Sequence, residues 1–448
     1  MKRLSFLQEN KRLFLLSIPI FIELLLQLLV GNVDQLMLSQ FSQNSVAAVG
    51  NSNQIMNIAI IAINTTCAAT TILIAQYLGA KNKKKVSEIC TVSTAFILLC
   101  SIIISLAVTL CSRQIFQLLS LPAQLMDQAC QYLVLVGSFI VIQSLYMNIT
   151  AILRAYTFTT EVMIASIVMN VANILGNLVL INGYLGFPKL GILGAAISTN
   201  ISKTLGLLLA LYYFKTKIDV RFSFSYLVPK ALSSLKKLLR VGIPACVESL
   251  SYNISQVFIM KFVNSFGTSV INTKVYSSML ANVAYVYSIA IAQAVQILVG
   301  YLIGEKKKQE ITKKVWATVI IAISLSVSIT LLLFLNSDII FGFFTKDPVV
   351  LKLGKQILFI ELFLEIGRSI NIVMVKVLVA AGDIKAPTTV GIMFQWGIAV
   401  VFSYILGVHF HMGIIGIWIA MAMDECIRGL IFTLRFRSGV WLLKKDLT

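Results

Sequence analysis

The sequence predicts an all-α membrane protein of twelve transmembrane helices, arranged as two pseudo-symmetric six-helix halves around a central cavity. Three observations predict this class: an apolar composition, twelve long apolar windows and a repeat between the two halves of the chain. Hydrophobic residues occupy 58% of the 448 positions and charged residues only 12%. Water-soluble domains of this length do not have that balance, so a polytopic membrane protein is expected.

Apolar windows of about 20 residues have the length that a helix needs to cross a bilayer. Twelve such windows follow one another, at 13–38, 47–78, 87–110, 128–152, 162–185, 191–214, 239–263, 275–303, 312–335, 353–379, 388–408 and 413–435. Each window should be a helix, because backbone groups exposed to lipid must form hydrogen bonds within their own segment.

The distribution of Lys and Arg predicts the orientation of these helices. Basic residues are retained on the cytoplasmic side, so a cytoplasmic N-terminus requires every second loop to be basic. The segments that meet this requirement contain Lys2, Arg3, Lys11, Arg12, Lys81, Lys83, Lys84, Lys85, Lys215, Lys217, Arg221, Lys230, Lys236, Lys237, Arg240, Lys306, Lys307, Lys308, Lys313, Lys314, Arg435, Arg437, Lys444 and Lys445. The opposite loops have few basic residues: Arg113, Lys189, Lys274, Lys346 and Lys352. A multi-pass plasma-membrane protein with both ends in the cytoplasm is therefore predicted, and the net charge of +19 reflects topology and not nucleic-acid binding.

The two halves of the chain repeat each other. A shift of 225 positions aligns SIPIFIE at 17–23 with GIPACVE at 242–248 and LGAKNK at 78–83 with IGEKKK at 303–308, and a shift of 222 aligns GILGAAIS at 191–198 with GIIGIWIA at 413–420. The predicted organisation is an N-terminal lobe of residues 1–214, a cytoplasmic linker of residues 215–238 and a C-terminal lobe of residues 239–448. Because each half has six spans, the halves should be related by an axis along the membrane normal.

The tenth window carries charges at a depth where charge is costly. Glu361, Glu365 and Arg368 are spaced four and three residues apart, so they share one helix face and can pair with each other. An ionised group at the centre of a membrane costs about 2.5 to 3.5 kcal/mol on insertion scales. That face should therefore point inward. Lys376 lies nearer the end of the window, where long basic side chains reach the interface.

Two further windows place carboxylates at a similar depth. Glu248 is in the seventh window, and Asp424 and Glu425 lie near the middle of the twelfth with Arg428 one turn later. Such a cluster can bind Na⁺ through oxygen ligands or hold a proton. The pairs Glu365 with Arg368 and Glu425 with Arg428 have an equally good interpretation as structural ion pairs that join helices.

The first half differs in its charges. Glu23 aligns with Glu248, whereas Glu365 and Arg368 fall opposite Phe139 and Ile142. Asp424 and Glu425 fall opposite Ser202 and Lys203 in the same way. The notable acid of the first half is Asp34, near the outer end of the first window.

The chemistry of an enzyme or of a metal centre is not indicated. The seven cysteines are scattered without a C-x-x-C pair or a histidine cluster, so neither a disulfide framework nor a metal site is expected beyond Na⁺ at the coupling residues. An integral-membrane enzyme would need a nucleophile with a base, or a metal set. We therefore predict no enzymatic activity and no cofactor.

Three segments resemble MATE (multidrug and toxic compound extrusion) transporters: GNVDQLMLS around Asp34, GIPACVE at 242–248 and AAGDIKAP at 380–387. The resemblance covers nearly the whole chain. It implies that Asp34 is a proton or cation site of the first lobe, with Asn173 and Asn177 as candidate companions. It also implies that Glu248 is the acid of the seventh helix. The acid of the tenth helix corresponds to Glu361 or Glu365, and Glu365 is preferred because it shares the middle depth with Asp424.

Together these observations predict a secondary active exporter. It would exchange organic cations and amphipathic drugs for Na⁺ or H⁺ by alternating access, as a monomer with membrane lipid around it. The alternative in the same superfamily is a flippase for a lipid-linked saccharide. A flippase would favour basic residues at mid-membrane to hold a pyrophosphate, whereas the excess here is acidic.

Overall fold

The computed structural model describes residues 10–119, 121–227 and 231–443. Five of the basic residues used to predict orientation, Lys2, Arg3, Lys230, Lys444 and Lys445, lie outside the described residues, as do the outermost residues of the predicted lobes. The described part is helical and contains no strand.

Fourteen α-helices are present in this part of the chain: α1 (Lys11–Phe41), α2 (Gln43–Gly79), α3 (Lys83–Leu118), α4 (Ala123–Ser138), α5 (Ile140–Ala155), α6 (Thr159–Asn182), α7 (Ile192–Lys217), α8 (Ala231–Asn264), α9 (Thr268–Gly304), α10 (Lys308–Leu335), α11 (Ser337–Phe344), α12 (Pro348–Ala380), α13 (Lys385–Phe394) and α14 (Gly413–Arg437). Wider, π-helical turns continue α13 through Gln395–Val400 and Ser403–His409. Short 3₁₀ turns occur at Tyr184–Gly186, Phe224–Tyr226 and Val440–Leu443.

Every predicted window overlaps a helix, and most helices extend past their window by a turn or two. The fourth window is broken, because α4 and α5 meet at Phe139 with a bend of 44°. The fifth window runs too far, because Gly183 takes a left-handed conformation (φ 74°) that ends α6.

Apolarity separates the helices into two groups. Eight helices of the described part are long and apolar enough to cross a membrane, or nine spans if the bent pair α4 and α5 counts as one. Three other long helices, α8, α12 and α14, are too polar for the same criterion. These three carry Glu248, the group of Glu361, Glu365 and Arg368, and the group of Asp424, Glu425 and Arg428, whereas Glu23 and Asp34 lie on α1. With the other nine spans they account for the twelve predicted spans.

Two compact units make up the fold. We call Ile22–Ile243 the N-unit, and Pro244–Thr448 together with the start of the chain up to Phe21 the C-unit. The units therefore differ from the predicted lobes in the first turns of α1 and α8. The connection between α7 and α8 is shorter than the linker of residues 215–238 that the sequence predicts, since α7 continues to Lys217 and α8 begins at Ala231.

Side-chain contacts explain why the first turns of α1 belong to the C-unit and those of α8 to the N-unit. In the C-unit, the guanidinium of Arg12 lies 5.4 Å from the ring centroid of Tyr301. In the N-unit, the Lys237 ammonium donates to the Tyr77 hydroxyl at 2.7 Å, and the Ser234 hydroxyl donates to Glu88 Oε1 at 2.5 Å. The beginning of α1 thus packs on α9, and the beginning of α8 packs on α2 and α3.

The turns between helices show that the repeat extends to the backbone conformation. Positive φ angles occur at Lys81 (55°) and Lys306 (60°), at Thr157 (69°) and Gly382 (85°), and at Gly191 (54°) and Gly413 (59°). The first two pairs are separated by 225 positions and the third by 222, the same offsets as in the sequence. Because the turn after α5 matches the turn after α12 at 225, Arg368 lies opposite Gln143 and not opposite Ile142.

Candidate functional site

The charges of α12 form one compact group, as their spacing predicts. Arg368 Nη1 donates to Glu361 Oε1 at 2.6 Å and also to Glu365 Oε1. Glu361 and Glu365 are 1% and 0% exposed, so this face points into the C-unit and away from lipid. The Arg368 guanidinium also lies 4.7 Å from the centroid of the Tyr285 ring. The face of this ring attracts the positive charge of the guanidinium by a cation–π interaction.

Two residues that were not predicted as members of this group complete its Glu361 end. Trp418 Nε1 donates to Glu361 Oε2 at 2.5 Å, and the Lys274 ammonium lies 4.5 Å from the Trp418 ring centroid. The expectation that Lys274 belongs to an outer loop is wrong, because α9 begins at Thr268 and includes it. The wrong position came from placing the start of the eighth span at 275.

The charges of α14 form a second group. Arg428 binds Asp424 through two bonds, Nε to Oδ1 at 3.0 Å and Nη2 to Oδ2 at 2.5 Å. Arg428 Nη2 also donates to Glu425 Oε1 at 2.9 Å, and Asn371 Nδ2 of α12 donates to Glu425 Oε2 at 2.6 Å. Asp424 and Arg428 are both buried. The second group is therefore attached to the helix that carries the first.

Close packing of α12 on α14 brings the two groups together. A Cβ atom on Gly367 would lie 2.6 Å from the Cα and N atoms of Cys426, so only glycine permits this approach. The backbones of the two helices touch at the level of Arg368 and Glu425. The hydrogen bond from Asn371 of α12 to Glu425 of α14 crosses this contact.

Glu248 of α8 lies beside the second group. Gln395 Nε2, at the start of the π-helical turns, donates to Glu248 Oε1 at 2.9 Å. Arg428 and Lys376 both attract the Glu248 carboxylate electrostatically. Glu248 has no basic neighbour on its own helix, but the fold supplies two from other helices. Lys376, expected at a membrane interface, is one of them.

We call these nine ionisable residues the carboxylate cluster. It consists of five acids, Glu248, Glu361, Glu365, Asp424 and Glu425, and four bases, Lys274, Arg368, Lys376 and Arg428. With every group ionised, the cluster has one negative charge in excess. Three buried oxygen atoms in the cluster or beside it have no hydrogen-bond partner in the described structure: Glu365 Oε2, Asn371 Oδ1 and Gln395 Oε1. Buried acceptors without partners are rare, and in native proteins they usually require an explanation.

Asp34 has a different environment in the N-unit. Asn177 Nδ2 donates to Asp34 Oδ1 at 2.7 Å. The terminal amide of Asn173 lies 3.0 and 3.2 Å from the two carboxylate oxygens, and its nitrogen can donate to both when the amide is turned so that this nitrogen faces Asp34. Lys203 interacts electrostatically with Asp34 and donates to Gln143 Oε1 at 2.7 Å. We call these five residues the Asp34 site.

The structure places Asn173 and Asn177 beside Asp34, as the resemblance implies. The sequence pointed to Lys203 only as the residue opposite Glu425. Lys203 lies about three turns from the start of α7, among polar residues of that helix, and this position in the sequence would have indicated a buried lysine.

Glu23 forms a separate ion pair within the N-unit. Arg154 Nη2 donates to Glu23 Oε1 at 2.5 Å, and Gln27 Nε2 approaches the same oxygen at 3.4 Å. Glu23 is 2% exposed and belongs to the N-unit. This geometry is that of a buried structural ion pair. The alignment of Glu23 with Glu248 is therefore not accompanied by similar partners.

The acids are not arranged as a metal centre of the usual kind. In the described part of the chain, no group of three or more His, Cys, Asp or Glu side chains is placed to hold a metal ion. Each acid of the carboxylate cluster except Glu248 instead has a hydrogen bond from an Arg, Trp or Asn side chain at one or both oxygens.

Comparison with known proteins identifies the family. The family model MatE matches residues 19–179 and 244–405. The uncharacterized transporter YisQ of Bacillus subtilis is 36% identical over 96% of this chain and 95% of its own length. The probable multidrug resistance protein NorM of Thermotoga maritima is 25% identical over 98% of this chain and 94% of its own length.

Solved structures show the same fold. The Vibrio cholerae MATE transporter VcmN is similar with a TM-score of 0.91 and 21% identity, covering 99% of both chains. An outward-facing multidrug resistance MATE transporter of the MOP superfamily is similar with a TM-score of 0.88 and 21% identity, covering 97% of both chains. These matches confirm the predicted all-α fold of twelve membrane helices. The chain therefore belongs to the MatE family of multi-pass membrane transporters.

Proposed function

We propose that the protein is a secondary active exporter that exchanges organic cations and other amphipathic compounds for Na⁺ or H⁺ by alternating access. Family membership supports transport, and the NorM relatives named as probable multidrug resistance proteins support a drug-like cargo. In this proposal the protein acts as a monomer in the plasma membrane with both ends in the cytoplasm. It uses no cofactor and catalyses no reaction.

The observation that carries the proposal is the excess carboxylate of the carboxylate cluster. Five acids share four bases inside membrane helices, and Glu365 Oε2 is buried without a partner. An unpaired ionised oxygen in a medium of low polarity is costly, so a proton or a cation at this place stabilises the cluster. A protonated Glu365 would donate a hydrogen bond from that oxygen. A bound Na⁺ would instead be coordinated by Glu365 Oε2.

Coupling follows from the connections of the cluster. Arg368 is shared by Glu361 and Glu365, so a proton or Na⁺ at Glu365 weakens one of its bonds and leaves Arg368 freer to interact with Glu425. Arg428 in turn connects Glu425 with Asp424 and Glu248. A ligand changes a conformational equilibrium only through its different affinity for the two states, and a change from 1:99 to 99:1 requires about 10⁴-fold. We propose that the cluster provides this difference, with Asp34 as a second ionisable site.

The proposal is tested by efflux of a fluorescent organic cation from proteoliposomes. An imposed Na⁺ gradient at constant pH and an imposed pH gradient without Na⁺ are compared for wild type, Glu365→Gln, Glu248→Gln and Asp424→Asn. We expect gradient-driven efflux to fall by about 5- to 150-fold in these variants, which is the usual range of a coupling energy. Glu161→Gln is the matched control, because Glu161 forms only a partly exposed pair with Lys217 at 3.4 Å.

Two results would contradict the proposal. Unchanged efflux in both Glu248→Gln and Glu365→Gln would remove the carboxylate cluster from the mechanism. Absence of efflux for every organic cation, together with binding of a lipid diphosphate, would favour the flippase instead.

A further inference from the structure

The segment between α7 and α8 presents two exposed aromatic side chains. Phe224 is 89% exposed at the start of its 3₁₀ turn, and Phe222 is 47% exposed. The segment is nevertheless held in place, because the Phe222 ring lies 5.4 Å from the ring of Phe214 in α7 and the 3₁₀ turn packs on α3. An ordered piece of backbone therefore holds Phe224 away from the core of the N-unit.

Three exposed bases lie beside this turn. The Arg221 N–H donates to the Ser87 hydroxyl oxygen of α3 at 3.4 Å. Lys83 and Lys84 precede Ser87 by four and three residues, so they are its neighbours on the surface of α3. All three bases are exposed. We call the bases and the two aromatic residues the connector patch, which consists of Lys83, Lys84, Arg221, Phe222 and Phe224.

The bases of the connector patch differ from nearby bases in having no partner within the protein. Among the residues that the structure describes, no ion pair or side-chain hydrogen bond joins any of the three to another residue. The neighbouring Lys85 pairs with Glu88 at 2.8 Å, and Lys217 pairs with Glu161 at 3.4 Å. Three positive charges of the patch are therefore not compensated by the part of the chain that surrounds them.

The length of α7 places the connector patch at the surface of the bilayer. This helix has 26 residues and is long and apolar enough to cross a membrane. At 1.5 Å per residue it is about 39 Å long, close to the roughly 40 to 45 Å of a bilayer with its headgroups. Its last residue, Lys217, precedes Arg221 by only four positions. The patch therefore lies at the level of the lipid headgroups.

We infer that the connector patch binds the headgroups of anionic phospholipids. Phosphate oxygens accept hydrogen bonds from guanidinium and ammonium groups, and bases near a membrane surface are attracted by anionic lipids. Aromatic side chains are enriched at the same interface, where the ring lies beside the upper part of the acyl chains. The unpaired bases and the exposed rings of the patch fit the two parts of one lipid molecule. This role goes beyond the proposed export of drugs.

The end of the C-unit provides an internal comparison. Phe436 lies opposite Phe214 at the offset of 222, and its ring stacks on Trp441 with 5.1 Å between the centroids. Trp441 is buried, and the Lys308 ammonium donates to the Leu442 carbonyl at 3.1 Å. The ring contact thus leads to a buried residue and a base with a partner in the C-unit, but to exposed rings and bases without partners in the N-unit. We therefore assign lipid binding to the N-unit segment.

Quenching of tryptophan fluorescence by brominated lipids tests the inference on the full-length protein in nanodiscs. Two bilayers have the same equimolar mixture of phosphatidylglycerol and phosphatidylcholine, and they differ only in which lipid carries bromine on its acyl chains near the headgroup. The reporter is Phe224→Trp, and the signal of the four native tryptophans, measured on wild type, is subtracted. We expect the anionic lipid to be enriched about fivefold at the reporter, the factor that corresponds to one base at a membrane surface.

Two controls separate this site from ordinary contact with lipid. Leu118→Trp places the reporter at the other end of α3, where Leu118 is 88% exposed, and it should show no preference for the anionic lipid. Charge variants are compared on the Phe224→Trp background. The preference should be lost when the bases of the patch are replaced, and kept when the same number of charges is removed from the C-unit: Lys83→Gln with Lys84→Gln and Arg221→Gln, against Lys306→Gln with Lys307→Gln and Lys308→Gln.

Three results would overturn the inference. The first is equal quenching of Phe224→Trp by the two brominated lipids, a measurement that needs no charge variant to fold. The second is a preference that survives the loss of all three patch bases. The third is quenching of the reporter by aqueous iodide and by neither lipid, which would place the segment in water or against another protein. Because both leaflets are identical and no transport is measured, these results do not depend on the proposed orientation or on the proposed exporter function.

Discussion

The carboxylate cluster of the C-unit and the Asp34 site of the N-unit occupy related parts of a duplicated backbone. They differ in the groups that compensate their buried negative charge. The cluster compensates five acids with four bases, mainly by bonds between charged groups. The Asp34 site compensates one acid with two amides and one lysine. The repeat has therefore preserved where the helices turn and pack, while the charge carried by equivalent positions has diverged.

This difference matters because charged and neutral partners respond differently to an incoming cation. An amide that donates to a carboxylate can rotate, at the cost of its hydrogen bond. When a cation binds to one of two carboxylates that share an arginine, the arginine must change its hydrogen bonds, so binding at one acid alters the interactions of the other. The cluster is thus suited to transmit a binding event from α12 to α14, and the Asp34 site is suited to remain self-contained.

The largest expected effect is the loss of Arg368. In Arg368→Met, Glu361 and Glu365 lose their common partner inside the C-unit, and removal of one partner of a buried ion pair costs about 3 to 5 kcal/mol. In Lys203→Met, Asp34 keeps its two amide donors, so a smaller loss is expected. Thermal unfolding in detergent, monitored by circular dichroism, measures both. Equal destabilisation of the two variants would show that the sites do not differ in the way described.

The asparagines provide an intermediate test. Asn177 and Asn371 each donate one hydrogen bond to an acid, at 2.7 Å to Asp34 and at 2.6 Å to Glu425. Asn177→Ala should cost about 1.5 to 3 kcal/mol, the usual contribution of a hydrogen bond to a charged group. Asn371→Ala should cost less, because Glu425 retains Arg428. The free energies of unfolding from denaturant titrations provide the comparison, and a larger loss for Asn371→Ala would contradict it.

The smallest effect concerns the N-terminal ends of α12 and α4. Asp347 caps α12 by accepting from the Val349 N–H at 2.9 Å, and it accepts from the Ser269 hydroxyl at 2.6 Å. These bonds hold the pKa of Asp347 below its ordinary value. At the offset of 225, the corresponding residue before α4 is Pro122, which offers no such cap.

A pKa that is lower in the folded state gives stability that is present above the unfolded pKa and is lost as the pH falls through the folded pKa. Acidification from pH 6 to pH 3 should therefore lower the melting temperature of wild type slightly more than that of Asp347→Ala. The melting temperatures of both proteins across this range are the measurement. A larger acid-induced loss in Asp347→Ala would contradict the assignment.

Sequence reasoning identified the helices that carry the acids and arginines of the carboxylate cluster, but it misplaced Lys274 and did not find all of their partners. Glu361, Glu365 and Arg368 share one helix, so their spacing alone predicted the contact that the structure shows. Asn371 and Glu425 are on different helices, and their bond depends on how α12 crosses α14. Lys274 and Trp418 were not predicted as neighbours of Glu361, because nothing in the local sequence of α9 or α14 refers to α12.

The sequence by itself determined the class of the protein, the number of its spans, the repeat, and the helices that carry intramembrane charge. These follow from hydropathy and from spacing along a helix, which are local properties. Only the tertiary structure decided which acids have charged partners, that Glu248 lies near Arg428 and Lys376, that Glu23 is paired with Arg154, and that the first turns of α1 and α8 pack outside their own halves. Partner choice depends on close approaches such as Gly367 against Cys426, and these bring together residues that are far apart in the chain.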